Sequence, residues 1–111
     1  MRVLLLNSAV MPREGIYVMK RITKEEFGKA LKQAKEKGVL KSYIGYPDNI
    51  ELIKKWFGVE VELNRTQTDV KNGDIMLVMK LKYRLPNPKD KGRYTPKEED
   101  FEFFTVQYRE A

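Results

Sequence analysis

Residues 3–6, VLLL, and residues 23–38, TKEEFGKALKQAKEKG, decide the fold class of this chain. A short uninterrupted apolar run is typical of a central strand that is covered on both faces. In the second stretch, Thr23 and Glu26 stand in the spacing of a capping box, apolar residues follow at helical intervals, and Gly38 marks the end of the helix. A buried strand followed by an amphipathic helix predicts an α/β domain.

The remaining sequence extends this pattern to a single-domain mixed β-sheet with about five strands and two main helices. Alternating apolar residues predict further strands at residues 16–22, 60–70, 75–84 and 101–109. A second helix is predicted from Pro47 to Gly58, with Asp48 and Glu51 in the spacing of an N-terminal cap. With 111 residues, the chain has the length of one domain, which we assign to residues 1–111.

The dipeptide Asn72-Gly73 predicts a two-residue hairpin between the strands at residues 60–70 and 75–84. In that register Arg65 lies opposite Lys80, and strand periodicity places Lys82 and Arg84 on the same face. Because like charges on facing strands repel, a bound anion would explain this cationic face. The alternative is that the same side chains are solvated or paired with nearby carboxylates.

Composition excludes several classes of chemistry. The sequence contains no Cys, which removes a thiolate nucleophile, a zinc–cysteine site and any disulfide. It contains no His, which removes the commonest general base and the imidazole metal ligand. We therefore expect neither a metal site nor a cofactor.

The charge balance favours an anionic partner. Twenty-two Lys and Arg residues against sixteen Asp and Glu residues give a formal net charge of +6, which suits nucleic acid, a nucleotide or an anionic surface. A soluble surface rich in both signs, as thermophilic proteins have, is the alternative. Since no apolar run approaches a membrane span and no signal peptide is recognisable, we expect a cytoplasmic protein without membrane contact.

The start of the second helix is another candidate anion site, because free backbone N–H groups and the helix dipole attract negative charge there. Gly45 would allow close approach of a ligand, Tyr46 would stack or donate a hydrogen bond, and Asp48 and Asn49 begin the helix. Asp48 would compete with a phosphate, and an ordinary capped turn is the alternative. Residues Asn7 and Ser8 end the first strand, where open sheets often bind ligands.

Four stretches in order carry a family resemblance: VLLLNSAV at 3–10, IGYPDNIELI at 44–53, GVEVELNR at 58–65 and MKLKYRLP at 79–86. Together they resemble the viral anti-CRISPR ring nucleases, small proteins of archaeal viruses, phages and mobile elements. Each stretch alone is loose, whereas their order and spacing over roughly residues 1–85 are more specific.

This resemblance implies a homodimer that holds cyclic tetra-adenylate, the second messenger of type III CRISPR defence, across its two-fold axis and cleaves it. Arg65 matches the arginine of the family's Asn-Arg pair, and Arg84 matches the arginine that ends the next strand. Both are associated with ligand phosphates or catalysis. Asn7 and Ser8 match the loop that lines the pocket.

Two departures from the family concern catalysis. The histidine that protonates the leaving group in the family is replaced here by Tyr46, and the usual acidic residue after the second arginine by Asn87. Tyr46 is then the candidate acid, with Lys80 and Lys82 as other donors. We therefore expect binding of cyclic tetra-adenylate with slow cleavage or with sequestration alone. The alternatives are a basic nucleic-acid-binding protein and a virion or assembly protein without a ligand.

Overall fold

The apolar run at residues 3–6 forms the first strand of a five-stranded sheet in a computed structural model, which describes residues 2–82 and 97–111. The strands are β1 (Val3–Leu6), β2 (Ile16–Ile22), β3 (Leu40–Ser42), β4 (Ile75–Leu81) and β5 (Phe101–Arg109), and the helices are α1 (Lys24–Glu36) and α2 (Pro47–Phe57). A 3₁₀ turn at Glu98–Asp100 precedes β5. The mixed α/β fold with two main helices is thus confirmed.

The sheet has the strand order β2-β5-β4-β1-β3. Strand β1 pairs in parallel with both of its neighbours, β3 and β4. Strand β5 lies between β4 and β2 and pairs antiparallel with both. The three parallel strands β3, β1 and β4 therefore all end at one edge of the sheet.

Both helices form where the sequence predicts them and pack on one face of the sheet. At the start of α1, Thr23 Oγ1 accepts a hydrogen bond from the Glu26 N–H, and Glu26 Oε1 accepts one from the Thr23 N–H, each at 3.1 Å. The Phe27 ring packs against Phe57 of α2, at 5.4 Å between centroids, and against Phe103 of β5, at 4.9 Å. Within residues 2–82 and 97–111, no helix is long and apolar enough to cross a membrane.

The opposite face of the sheet is covered by irregular segments instead of helices. Leu4 and Leu6 of β1 join a second buried cluster with Tyr43 and Val70, and Val10 packs against it from the loop after β1. All four residues of β1 are buried, so its predicted position as a doubly covered central strand is confirmed.

The predicted hairpin is wrong. Residues 60–70 do not form a strand. Beside β3 they make an isolated bridge between Leu63 and Ile44 and side-chain hydrogen bonds with Ser42. The turn at Asn72-Gly73 exists, but it leads into β4, whose two edges are occupied by β1 and β5. The fifth strand is instead β3, which the apolar pattern of the sequence does not predict. Consequently Arg65 does not lie opposite Lys80, which pairs with Glu102.

The loop between β1 and β2 is fixed by contacts with the last strand. Tyr108, which is 1% exposed, donates a hydrogen bond from its hydroxyl to the Glu14 carbonyl. Its ring occupies the space that a Cβ on Gly15 would need, at 2.2 Å from that position, and Gly15 has a φ of +153°. The loop that carries Asn7 and Ser8 is therefore anchored at its far end.

A partly buried ion pair joins the beginning of β1 to the beginning of β4. The Asp74 carboxylate is 4% exposed and accepts hydrogen bonds from Arg2 Nη2 at 2.7 Å and from the Lys71 N–H at 2.8 Å. Burial by itself raises the pKa of Asp74, but these bonds and the charge of Arg2 outweigh it and lower the pKa below its usual value. The pair closes the turn at residues 71–74.

We predict that Asp74→Asn lowers the free energy of unfolding at pH 7 by about 1–3 kcal/mol, the cost of disrupting a buried charge-assisted hydrogen bond. Because the pKa of Asp74 is lower in the folded than in the unfolded chain, the unfolded chain takes up the proton first as the pH falls. The contribution is therefore complete above about pH 4 and disappears as the pH falls through the folded pKa.

Urea unfolding of the wild type and the variant between pH 3 and 7 measures this difference. The control is Asp69→Asn, which also removes one negative charge, but from an exposed residue close to Asp74 in the sequence. A difference between wild type and Asp74→Asn that stays constant over this range would contradict the prediction.

Candidate functional site

The parallel strands bring most of the predicted site residues to one edge of the sheet, which we call the carboxyl edge. It is formed by the residues at or just beyond the ends of β1, β3 and β4: Asn7, Ser8, Gly45, Tyr46, Lys80 and Lys82. Leu6 pairs with Val78, so Ser8 and Lys80 each lie two residues beyond the last pair of β1 and β4. Carboxyl ends of neighbouring parallel strands are where open α/β sheets bind ligands.

Arg65 reaches the carboxyl edge by a route that the hairpin did not predict. The segment that contains it crosses the end of β3, where the Asn64 N–H donates to the Ile44 carbonyl at 2.9 Å. Arg65 Nε then donates to the Gly45 carbonyl at 2.8 Å. The Arg65 side chain is exposed, and among the described residues it makes no ion pair. Its terminal guanidinium nitrogens are thus directed to solvent near the start of α2.

The start of α2 differs from its predicted form. Tyr46 is the N-cap residue, with φ −124° and ψ 125°, and Pro47 is the first helical residue. Asp48 lies in the first turn and is exposed, so its predicted role as the cap is wrong. The reason is that Pro47 has a φ already suited to the first helical position. Tyr46 is 48% exposed, and Asn49 donates its N–H to the Tyr46 carbonyl at 3.1 Å.

The electrostatics of the carboxyl edge suit an anion. Of its described residues, Arg65, Lys80 and Lys82 are exposed cations and Asp48 is an exposed carboxylate. Glu102 lies beside Lys80 in the sheet and is 3.8 Å from Arg21, so it offsets part of this charge. The backbone N–H groups at the start of α2 add partial positive charge. Multiply charged phosphates fit such a surface better than neutral ligands do.

Arg84 and the position Asn87 lie outside the described residues. Their predicted roles therefore stay predictions. In the part of the chain that the structure describes, no three His, Cys, Asp or Glu residues are grouped so that they would hold a metal ion.

Among the described residues, two cavities have linings without Arg65, Tyr46 or the lysines at the end of β4, and the first includes Ser42 at the end of β3. One, of about 430 Å³, is lined by Lys35, Leu40, Ser42, Glu60, Val61 and Glu62. The other, of about 380 Å³, lies between the two helices and is lined by Lys24, Glu25, Gly28, Lys29, Lys32, Trp56 and Phe57. In the second, Lys24 lies 5.7 Å from the centre of the Trp56 ring and already occupies one aromatic surface. Neither lining contains the residues that the sequence singled out.

Sequence reasoning missed the side chains that hold the site together. Asn64 and Ser42 bind backbone groups where the segment before Arg65 crosses β3. The Asn-Arg pair was visible in the sequence, but only its arginine was singled out. An Asn that binds backbone groups has no periodic signature, since its partners belong to another element of the fold.

Comparison with known proteins identifies the family and the fold. The family model described as STIV B116-like matches residues 3–106. Among solved structures, B116 of Sulfolobus turreted icosahedral virus (STIV) superposes with a TM-score of 0.78 and 23% sequence identity, covering 96% of this chain and 99% of that chain. At this identity the superposition supports the fold alone. No curated protein matches the chain.

We predict that Arg65→Ala changes the free energy of unfolding by less than about 1 kcal/mol, because an exposed side chain with one hydrogen bond to a carbonyl leaves a group that water can solvate. Chemical denaturation of the purified variant measures this. A loss of more than about 2 kcal/mol would show that Arg65 is part of the framework instead of the ligand surface.

Proposed function

The chain belongs to the STIV B116-like family, and from that premise and the carboxyl edge we propose that it binds cyclic tetra-adenylate and so antagonises type III CRISPR signalling. The observation that carries the proposal is the arrangement of Arg65, Gly45 and Tyr46 just beyond the end of β3, the strand next to β1. The sequence resemblance to viral ring nucleases supplies the ligand, and this arrangement supports it with a cationic surface of suitable chemistry.

Arg65 is the proposed phosphate ligand. A guanidinium offers a planar pair of donors that matches two phosphate oxygens. Because Nε is held by the Gly45 carbonyl, the rest of the guanidinium has a defined direction without help from a ligand. Gly45 has no side chain and precedes α2, where Pro47 has no N–H and the Asn49 N–H is bonded to the Tyr46 carbonyl. The partial positive charge of the helix N-terminus therefore acts on a second phosphate oxygen mainly through the helix dipole.

Ring opening, if it occurs, needs few protein groups. A ribose 2′-hydroxyl attacks the adjacent phosphorus and gives up its proton to water, and a 2′,3′-cyclic phosphate forms. The bond from phosphorus to the 5′-oxygen breaks, and that oxygen takes a proton from the acid. Arg65 stabilises the charge that develops on the phosphate, as Arg84 would by the resemblance. Tyr46 is the proposed proton donor, and Lys80 and Lys82 are the other donors at this edge.

Histidine is the commonest side chain in general acid–base catalysis, and here Tyr46 stands in its place. General acid–base assistance contributes typically ~10²–10⁴-fold, so cleavage is expected to be slow. Sequestration of the messenger then accounts for most of the antagonism. The proposed reaction requires no metal ion and no cofactor.

A second copy of the chain completes the proposed site. The ligand repeats the same nucleotide around a ring, so a two-fold axis would present Arg65 and the loop after β1 to two phosphates at once. The proposal thus specifies a homodimer with one ring for two chains. Binding of DNA or RNA is the second candidate, supported by the net charge of +6.

We predict that Arg65→Ala weakens binding of cyclic tetra-adenylate by roughly 10- to 100-fold, the value of a charge-assisted hydrogen bond. Isothermal titration calorimetry measures affinity and stoichiometry, with half a ring expected per chain. The control is Arg109→Ala, which removes the same charge from an exposed residue at the opposite edge of the sheet.

Equal affinities for the wild type and both variants would contradict the site. Ring binding that is fully displaced by duplex DNA, with affinity that falls steeply as salt rises, would favour the nucleic-acid alternative.

We predict that Tyr46→Phe leaves the affinity for the ring within about twofold and lowers formation of linear product at least tenfold, because it removes only the ionisable hydroxyl. Isothermal titration calorimetry measures the affinity, and chromatography of the nucleotide after single-turnover incubation measures the linear product. An unchanged cleavage rate in Tyr46→Phe would assign the proton donor to another group, with Lys80→Met and Lys82→Met as the next variants.

A further inference from the structure

We propose that Asn64 is a positioning residue that fixes the direction of the Arg65 guanidinium at the carboxyl edge. The inference deepens the proposed function and rests on it where it concerns affinity for the ring. Its structural part, the effect of Asn64 on Arg65, does not depend on any ligand.

Asn64 uses both ends of its side-chain amide. Its Nδ2 donates to the Ser42 carbonyl at the end of β3, at 3.0 Å. Its Oδ1 accepts from the Thr66 N–H at 3.2 Å and from Thr66 Oγ1 at 2.7 Å. Its own N–H donates to the Ile44 carbonyl at 2.9 Å. One half-buried residue therefore makes four hydrogen bonds, two that tie the segment at 64–66 to the end of β3 and two that close the segment on itself.

These bonds hold the residues on either side of Arg65, Asn64 before it and Thr66 after it. The residue before it is bound to β3, and the residue after it is bound back to the Asn64 side chain. The backbone of Arg65 is thus held in an Asx turn. From this position its Nε donates to the Gly45 carbonyl, which fixes the orientation of the guanidinium beside the residues that precede α2.

A fixed arginine binds an anion better than a mobile one, because ordering a rotamer-rich side chain on binding costs about 0.5–1.5 kcal/mol. Asn64 is half-buried, next to the ligand surface rather than on it. Its expected contribution is thus made through Arg65. Removing its side chain should weaken ring binding by about 2- to 10-fold, the range into which that ordering cost converts.

Ser42 provides the matched control. Its Oγ donates to the Glu62 carbonyl at 2.7 Å and accepts from the Ile44 N–H at 3.3 Å, so it holds the same segment two residues before Asn64. Ser42→Ala removes these bonds and leaves the Ser42 carbonyl for Asn64. Ser42→Ala and Asn64→Ala are both expected to lower the free energy of unfolding. Only Asn64→Ala should leave the Arg65 side chain without a fixed orientation.

The experiment combines nuclear magnetic resonance with a double-mutant cycle. In the wild type, Arg65 should give a separate Nε–H resonance with slow hydrogen exchange, which Ser42→Ala keeps and Asn64→Ala loses. In titrations with cyclic tetra-adenylate, Asn64→Ala should lower the affinity 2- to 10-fold when Arg65 is present. It should have no such effect when Arg65 is replaced by Ala. If Asn64→Ala does not fold, Thr66→Val, which removes the Oγ1 bond alone, should shift both readouts in the same direction.

An Arg65 Nε–H resonance unchanged in Asn64→Ala would overturn the positioning role whatever the ligand. An equal loss of affinity in the Arg65→Ala background would show that Asn64 acts on the ring by itself or through general stability. If the wild type binds no ring at all, the proposed function fails while the resonance still decides whether Asn64 positions Arg65.

Discussion

Burial of β1 on both faces and along both edges is the constraint on which the rest of the structure depends. All four of its residues are buried, and a strand in that position needs a layer on each side and a hydrogen-bonded neighbour at each edge. The helices supply one layer, and the loop after β1 together with the segment up to Val70 supplies the other. Because both neighbours run parallel to β1, three carboxyl ends meet at one edge. The candidate site is thus a consequence of how the core is built.

At that edge, local side-chain hydrogen bonds replace the regular ladder of a sheet. Ser42 and Asn64 satisfy backbone groups where the chain leaves β3 and where it returns past it. At the opposite end of β1, Arg2 and Asp74 form an ion pair and also bind backbone groups, the Asp69 carbonyl and the Lys71 N–H. No buried side-chain nitrogen or oxygen lacks a partner in the ranges 2–82 and 97–111. Such bonds give an irregular backbone a defined shape, which an anion site requires if its donors are to be arranged before the ligand arrives.

Local signals in the sequence were sufficient for most of the fold. The bounds of β1, β2 and β5 follow from apolar runs and alternation, and those of α1 follow from the Thr23–Glu26 capping box and the glycine after the helix. The error concerned pairing, since Asn72-Gly73 has the composition of a hairpin turn but β4 finds its partners in β1 and β5, far along the chain. Partner choice depends on which strand must be buried, and a two-residue turn does not encode that. For the same reason, the sequence indicated Arg65 as an anion ligand but not Asn64, whose partners become neighbours only in the folded chain.

The central claim is that the carboxyl edge binds the phosphates of cyclic tetra-adenylate, and a titration followed by amide resonances tests it most directly. With ¹⁵N-labelled protein, the account predicts that the resonances of Ser8, Gly45, Tyr46 and Arg65 shift and saturate at half a ring per chain. Resonances of the outer strand β2 and of the groove between α1 and α2 should stay in place. Shifts confined to that groove or to β2, or none at a large excess of ring, would contradict the account.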